Sequence, residues 1–597
     1  MDKYKNRNEV PSKYKWDLSD FYKNNEELEA DFKKGEELIN LLPSYKGFSK
    51  DSKKTLEFLK LIIETNIVVE NLYVYTYLIN DQELGVSESI KNKARAENLM
   101  TLFSVNTSFF EPELLSLSES EYEDLFKEDG LKEFRAMLDQ IYREKEHVLS
   151  DAEEKIISSL THAADHFDDM SSTMLNSEHD YGTVDINGTP TTITSTNYRS
   201  LMKNDSRELR KEIREKYSKT LEQYGASSAM FLSTYVALNE TEARIHKFNS
   251  AWDRKMFGLN MSENVFRTLV STVEEHVDSL QNYFKLYKSE LGLDLLHQYD
   301  TSLEMSKNTK EYTIEEAQDI ILKALKPLGE DYLNHIKKVF DNHYIDYCEY
   351  KGKCSGGYSF ATLDHDSRIL LSFNGNLDDV STIAHEGGHN VHHQYVTASN
   401  PPEYRELPSI VCEVASLTNE CLLSSYLSEF GETKEEKLAG IDNILGVIIS
   451  NLFGAVREGK IEEDMYKEYS ENGAVTKEFM DKEVIDSFKK YYGDTLVLDE
   501  YSNVSWMRRS HYYMNYYLYS YSICISVASF IAKHILDGDK TMLDKYLNFL
   551  KTGGDKYPSE IFSILGIDLT KKEVYEDAIK YFDSMIDKYK EISKTGK

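Results

Sequence analysis

Residues 378–396 read DDVSTIAHEGGHNVHHQYV. The stretch suits a helix, with Asp378 and Asp379 placed to cap or charge its N-terminal end. Inside it, His385-Glu386-Gly387-Gly388-His389 is an H-E-x-x-H pattern. Helix positions four apart differ by about 40° in azimuth, so His385 and His389 face one way and can share a metal ion. Glu386 points aside, where it can reach a metal-bound water rather than the metal. A glycine inside a helix costs about 1 kcal/mol relative to alanine, so two in succession need a reason. Close approach of another backbone segment supplies one.

A metzincin would continue H-x-x-G-x-x-H, but position 392 is His and 395 is Tyr, which excludes that class. His392 shares a helical face with His385 yet lies about 5 Å further along the axis than His389, awkward for closing a tetrahedron. A supporting or packing role suits it better, and His393 reads as surface. The third ligand is sought downstream, in PSIVCEVASLTNECLLSSYL, residues 408–427. There Ile410, Val414, Leu417 and Cys421 form an apolar stripe, with Glu413, Ser416 and Glu420 on the adjacent one. Glu413 can complete a His₂Glu set with the fourth position open. Glu420 is then placed to orient a ligating imidazole by accepting its other N–H. Glu403 and Glu406 are rivals by proximity alone and flank prolines in a loop.

A further element is SWMRRSHYYMNYYLYSYSIC, residues 505–524, the densest cluster of the chain's 42 tyrosines. Most of these rings, Tyr512 among them, read as an aromatic core helix. His511 and one or two of the tyrosines are candidates to face the metal, because peptide hydrolysis builds an oxyanion that hydrogen-bond donors stabilise.

Elsewhere the pattern is helical. NEELEADFKKGEELINLL and SKKTLEFLKLIIETNIVVENLYVYTYLIND, both within the first 180 residues, place apolar residues at helical spacing with charges between them. Only 9 of 597 residues are proline, as a mostly α body requires. Two islands interrupt. Tyr181–Asn197, rich in Thr, Val and Ile around Asn187-Gly188, predicts a β-hairpin, and a boundary is placed near residue 200. From Tyr347 to Asn376, Gly356-Gly357 marks a loop and RILLSF (368–373) a short strand.

Composition sets further bounds. Lys plus Arg is 70 against 103 Asp plus Glu, a net charge of −33 that argues against a nucleic-acid surface. The five cysteines show no paired spacing, which argues against a disulfide scaffold or a cysteine zinc knuckle. No apolar leader opens the chain, and Ser522–Leu536 is too short to span a bilayer. A cytoplasmic protein without membrane contact is expected.

The segments DDVSTIAHEGGHNVHH, PSIVCEVASLTNE and HYYMNYYLYSY, in that order, closely resemble the M3 family of zinc metallopeptidases, and most of all its oligoendopeptidase F branch. YKWDLSDFY near the start, the hairpin followed by SRELRKEIREKY, and ARIHKFNSAWDRKMF extend the resemblance over nearly the whole chain. It implies a mainly α fold, a large helical ellipsoid with a deep central channel and small β elements near the active site. Residues 1–200 would form an N-terminal helical lobe and 201–597 the catalytic domain. It implies one Zn²⁺ per chain on His385, His389 and Glu413, with Glu386 as general base. It carries transition-state donors onto His511 and Tyr519, with Tyr517 and the Gly356-Gly357 loop lining the substrate. Position 387 is Gly where bulkier residues are common, and KCSGGY is a loose version of the family's loop. The implied activity is cleavage of internal bonds in short unfolded peptides. A zinc carboxypeptidase on a similar body, and a non-catalytic peptide-binding protein with structural zinc, are the competing readings.

Overall fold

The structure, a computed structural model, describes residues 4–594 apart from 151–152, 155, 158–159 and 161–165. The helical expectation for the first 180 residues lies, at those positions, outside the described residues. Two compact units emerge, each assembled from three stretches of chain. The first takes Met1–Val148, Thr309–Tyr426 and Ile531–Ile567; the second takes Leu149–Asn308, Leu427–Phe530 and Asp568–Lys597.

In the first unit, α1 (Asn25–Leu41) and α2 (Ser52–Gln82) begin at side chains that satisfy free backbone N–H groups: Asn24 accepts from Glu26 and Glu27, and Asp51 from Lys53 and Lys54. With α3 (Ser87–Thr107) they enclose a core that includes Phe32, Leu72 and Leu99.

The hairpin is present in the second unit as β1 (Thr183–Ile186) and β2 (Thr189–Thr192), turning at Asn187 and Gly188, both at positive φ. Tyr181 beside it stacks on Tyr217 at 4.1 Å, and Lys216 Nζ donates to the Thr183 carbonyl. These contacts bind the hairpin to the helix that follows, so the boundary expected near residue 200 falls inside one unit.

The first unit resumes at Thr309 and goes on to include α4 (Gly329–Asp341) and a three-stranded sheet. Its strands are β3 (Ile345–Cys348), β4 (Tyr358–Phe360) and β5 (Arg368–Phe373), in the order β3-β5-β4. The RILLSF segment is the central strand, parallel to β3 and antiparallel to β4. Ile369, Leu370, Leu371 and Phe373 of this strand are all buried, so side chains on both of its faces are covered, which accounts for the Ile-Leu-Leu run. Buried Lys353 fastens the intervening loop by donating to the carbonyls of Asp346, Cys348 and Leu371 at 3.0, 2.9 and 2.6 Å. The sheet feeds into α5 (Leu377–Ser399), followed by α6 (Ser409–Phe430).

In the second unit a long helix runs Lys434–Asn472, interrupted by a π-helical turn at Ile449–Gly454; its last part, Ala455–Asn472, is α7. Ser522 Oγ donates to the Asn451 carbonyl in that turn at 2.9 Å. The tyrosine segment is not one helix: 3₁₀ turns cover Ser502–Arg508 and Ser510–Tyr513, and α8 starts only at Leu518, ending at Leu536. Its 19 residues meet the length needed to cross a bilayer, contrary to the expectation drawn from Ser522–Leu536. Burial of 72% of its apolar window within the fold marks it as a core helix instead. In the first unit, α9 (Lys540–Leu550) then packs back beside α5.

Candidate metal centre

The capping of α5 differs from expectation in detail. Asn376, not an aspartate, is the cap: its Oδ1 accepts from the Asp379 N–H at 2.9 Å. Asp379 returns the favour, accepting the N–H groups of Asn374 and Asn376 at 2.7 and 3.1 Å. The helix therefore starts rigidly, two turns before its histidines.

On α5, His385 and His389 point Nε2 at Nε2, 3.3 Å apart. Glu413 on α6 brings Oε2 to 3.3 Å from His385 Nε2 and 3.4 Å from His389 Nε2. A tetrahedral zinc with bonds of about 2.0–2.1 Å needs neighbouring ligand atoms about 3.3–3.4 Å apart, so the spacing fits that ion. The donor chemistry fits too, since two imidazole nitrogens and a carboxylate oxygen converge with lone pairs toward one point. Among the described residues these three form the one such grouping.

His385 Nδ1 donates to Glu420 Oε1 at 2.6 Å, leaving Nε2 with its lone pair inward, and Ser381 Oγ donates to Glu420 Oε2 at 3.2 Å. Ser416 Oγ holds Glu413 Oε2 at 3.0 Å. Burial opposes a charged His385, yet Glu413 and Glu420 outweigh it and lift its pKa well above the ordinary value. Burial likewise opposes charge on Glu413, and the two histidines overcome it, holding the carboxyl well below the usual range. The pocket thus attracts positive charge, which a dication supplies more fully than a proton. Glu386 is 8% exposed, and burial raises its pKa against the pull of the two histidines.

The glycine pair is explained by packing. A Cβ on Gly388 would lie 2.7 Å from Ser416 Cα and 2.8 Å from its nitrogen, both backbone atoms of α6. Gly388 is what lets α6 come close enough to present Glu413. A Cβ on Gly387 would meet Ile336 Cδ1 of α4 at 2.7 Å. In the loop before β4, Gly356 has φ 103° and Gly357 faces Thr382 on α5, whose Cγ2 is 3.2 Å from where a Cβ would stand. Gly357 therefore lies beside α5, one turn ahead of His385.

His392 is 3% exposed and stacks on Phe549 at 5.6 Å; burial pushes its pKa down to about 3, so it packs as a neutral ring. His393 is not a surface residue: its Nε2 bonds the Thr362 carbonyl at 2.9 Å in the turn before β5, and burial lowers its pKa. The helix face assigned to solvent is covered by that turn.

In the second unit, His511 Nε2 lies 3.5 Å from the Tyr521 hydroxyl, and the Tyr517 ring meets Tyr521 edge-on at 5.2 Å. Burial and Arg509 keep His511 below its ordinary pKa. Tyr519 points the other way. It is fully buried against Trp252, Phe266 and Gly459, where a Cβ would stand 2.7 Å from its ring. Tyr512, read as core, is fully buried and donates to Glu458. The sequence leaves open which tyrosines of the 512–521 cluster accompany His511. Starting the helix at Leu518 turns Tyr519 inward and leaves Tyr521 beside His511.

The sequence pattern of peptidase family M3 matches residues 200–581, and that of oligopeptidase F matches residues 113–181. Oligopeptidase PepF of Bacillus subtilis (strain 168) is 31% identical over 591 residues, covering 98% of this chain and 88% of that protein. A solved structure from Chlamydophila abortus superposes with a TM-score of 0.91 at 28% identity, covering 98% of this chain and 100% of that one. Oligoendopeptidase-F from Enterococcus faecium gives a TM-score of 0.73 at 26% identity, over 95% and 99% of the two chains.

Proposed function

The chain belongs to peptidase family M3, in its oligopeptidase F branch, and is a zinc metallo-endopeptidase acting on oligopeptides; from that premise we propose how its own side chains divide the work. One zinc per chain would be held by His385, His389 and Glu413. The observation that carries this is the 3.3–3.4 Å triangle of their ligand atoms. Zinc bound there supplies Lewis-acid chemistry, acidifying water and polarising a carbonyl.

The rest falls to protein groups. Glu386, between the two ligating histidines in sequence and buried beside them, takes the proton of the attacking water and passes it to the leaving amine. Glu420 fixes the tautomer and tilt of His385. His511 and Tyr521, with Tyr517 beside them, donate to the oxyanion; Tyr519, proposed from the sequence, gives up that role to Tyr521 because its hydroxyl is sealed in the core. An extended substrate runs along the outer edge of β4, next to Gly356-Gly357, pairing backbone to backbone. None of the five cysteines forms a disulfide, which suits a reducing compartment such as the cytoplasm.

The test uses an oligopeptide blocked at both ends. Glu386→Gln should keep its zinc while kcat falls about 10²-fold or more, and the wild-type products should come from internal cleavage. Near-normal turnover by a zinc-loaded Glu386→Gln enzyme would refute the assigned base. Release of single C-terminal residues from unblocked peptides only would refute internal cleavage.

A further inference from the structure

Between His511 and Tyr521 the backbone takes a costly path. Asn515 and Tyr516 both adopt left-handed conformations, at φ 42° and 58°. Asparagine tolerates that region, but a bulky tyrosine rarely enters it. Such strain persists where the surroundings over-determine it.

The surroundings here are α7 and its neighbours in the second unit. Fully buried Glu462 accepts the Tyr516 N–H on Oε1 at 2.6 Å. The Tyr516 ring is gripped by Trp252 and Tyr466, each at 4.8 Å between centroids. Asn515 Nδ2 donates to Asn239 Oδ1 at 3.2 Å. One turn earlier on α7, Glu458 accepts the Tyr512 hydroxyl and lies 3.6 Å from Arg509. The helix thus holds the segment on both sides of the left-handed pair. Between the two glutamates Gly459 lets the Tyr519 ring lie on the helix backbone.

Glu462 is an expensive way to hold one N–H. Its second oxygen, Oε2, is buried with no hydrogen-bond partner, a state that ordinarily selects against a carboxyl. The group's evident return is the geometry of the turn. We propose that Glu462 is a positioning residue of the peptidase: by anchoring the Tyr516 N–H it fixes the left-handed turn that brings Tyr517 and Tyr521 beside His511. This rests on the reading of His511 and Tyr521 as oxyanion donors. Glu462 itself touches no reacting atom.

Three substitutions separate the roles. Glu462→Leu removes the acceptor, Glu462→Asp retracts it, and Glu462→Gln keeps an oxygen in place. Each is measured for zinc content, thermal midpoint, kcat, KM and affinity for a phosphinic peptide, a tetrahedral mimic of the hydrated bond. Glu462→Leu should lower kcat about tenfold or more, with KM and zinc unchanged, and weaken the phosphinic peptide by a similar factor. Glu462→Gln should recover kcat to within about threefold of wild type. In a Tyr521→Phe background the Leu penalty should shrink, because the donor being aligned is gone. Where Glu462→Leu fails to fold, Glu462→Asp decides, with an expected fall in kcat of about fivefold. Full kcat in a folded Leu or Asp variant overturns the proposal, as does an undiminished penalty in the Tyr521→Phe background. A full-rate Tyr521→Phe enzyme sinks the donor reading and the proposal with it. An impaired Tyr521→Phe enzyme beside a full-rate Glu462→Leu one overturns the positioning alone.

Discussion

Two carboxylates flank His385, and only one of them is close to His389 as well. Glu413 Oε2 stands 3.3–3.4 Å from both Nε2 atoms, whereas Glu420 bonds the outer Nδ1 of His385. Glu413→Ala should therefore abolish tight zinc binding, while Glu420→Ala should weaken it about 10–100-fold, as loss of a ligand's orienting partner does. Competition against a chromogenic chelator reads both, and equal losses would show that Glu420 is itself a ligand. Among the tyrosines, Tyr521→Phe should cost kcat about 10²-fold with little change in KM, and Tyr519→Phe should leave kcat near wild type. The reverse order would restore Tyr519 to the donor role. The convergence of His385, His389 and Glu413 was legible in the sequence because H-E-x-x-H and the Glu413/Glu420 stripe depend only on helix periodicity. Tyr521 was not, because its direction depends on where α8 begins. That start follows the left-handed pair Asn515–Tyr516, held by Glu462 from a distant stretch of chain.

At the scale of elements, the crossing of α5 and α6 matters most. Adding a methyl at Gly388 drives it into Ser416 backbone, which cannot yield as a side chain can. Gly388→Ala should destabilise the protein by roughly 1–3 kcal/mol and loosen zinc, because the helices must part and carry Glu413 away. Gly387→Ala meets only the tip of Ile336 and should cost less. Denaturant midpoints with a zinc competition assay compare the two; a Gly388→Ala protein as stable and as tight as wild type would refute the close-crossing account. The need for close approach was readable from two glycines inside a helix, though not the identity of the partner strand of backbone. The hairpin at Asn187-Gly188 and the RILLSF strand were readable for the same local reason, turn chemistry and an apolar run. The charge of Asp378 and Asp379 in the first turn was readable, but the cap at Asn376 was not, since the aspartates that follow are equally good caps and only the realised hydrogen bonds distinguish them.

At the scale of the whole molecule, stability must respond to pH through carboxyls that folding keeps protonated. Burial pushes Glu462 up to about 8, against the Tyr516 N–H and Lys255, with Glu463 adding to the rise. Between its ordinary value and about 8 the folded protein holds a proton that the unfolded chain has released. The stabilisation is complete below the unfolded pKa and is lost as pH climbs through that window, by roughly 1.4 kcal/mol per pH unit at most. Glu462→Gln cannot ionise, so its unfolding free energy should fall less between pH 5.5 and 8 than the wild type's. Parallel slopes for the two proteins would show that Glu462 is not the group responsible. The division into two units was beyond reach of a linear reading. Each unit is closed by contacts between stretches hundreds of residues apart, and no composition shift marks where the chain passes from one to the other.

That interleaving has a consequence for the birth of the enzyme. His392, one turn beyond the metal ligands, rests on Phe549 of α9, and the Gly554 N–H closes onto the Tyr404 carbonyl between α5 and α6. A nascent chain that has emerged only through Glu413 already carries His385, His389 and Glu413 but not the pieces that brace them. The ribosome must deliver residues past 554 before the first unit can shut. Because the first unit takes its last stretch from residues 531–567 and the second from 568–597, neither can close until nearly the whole chain has been made.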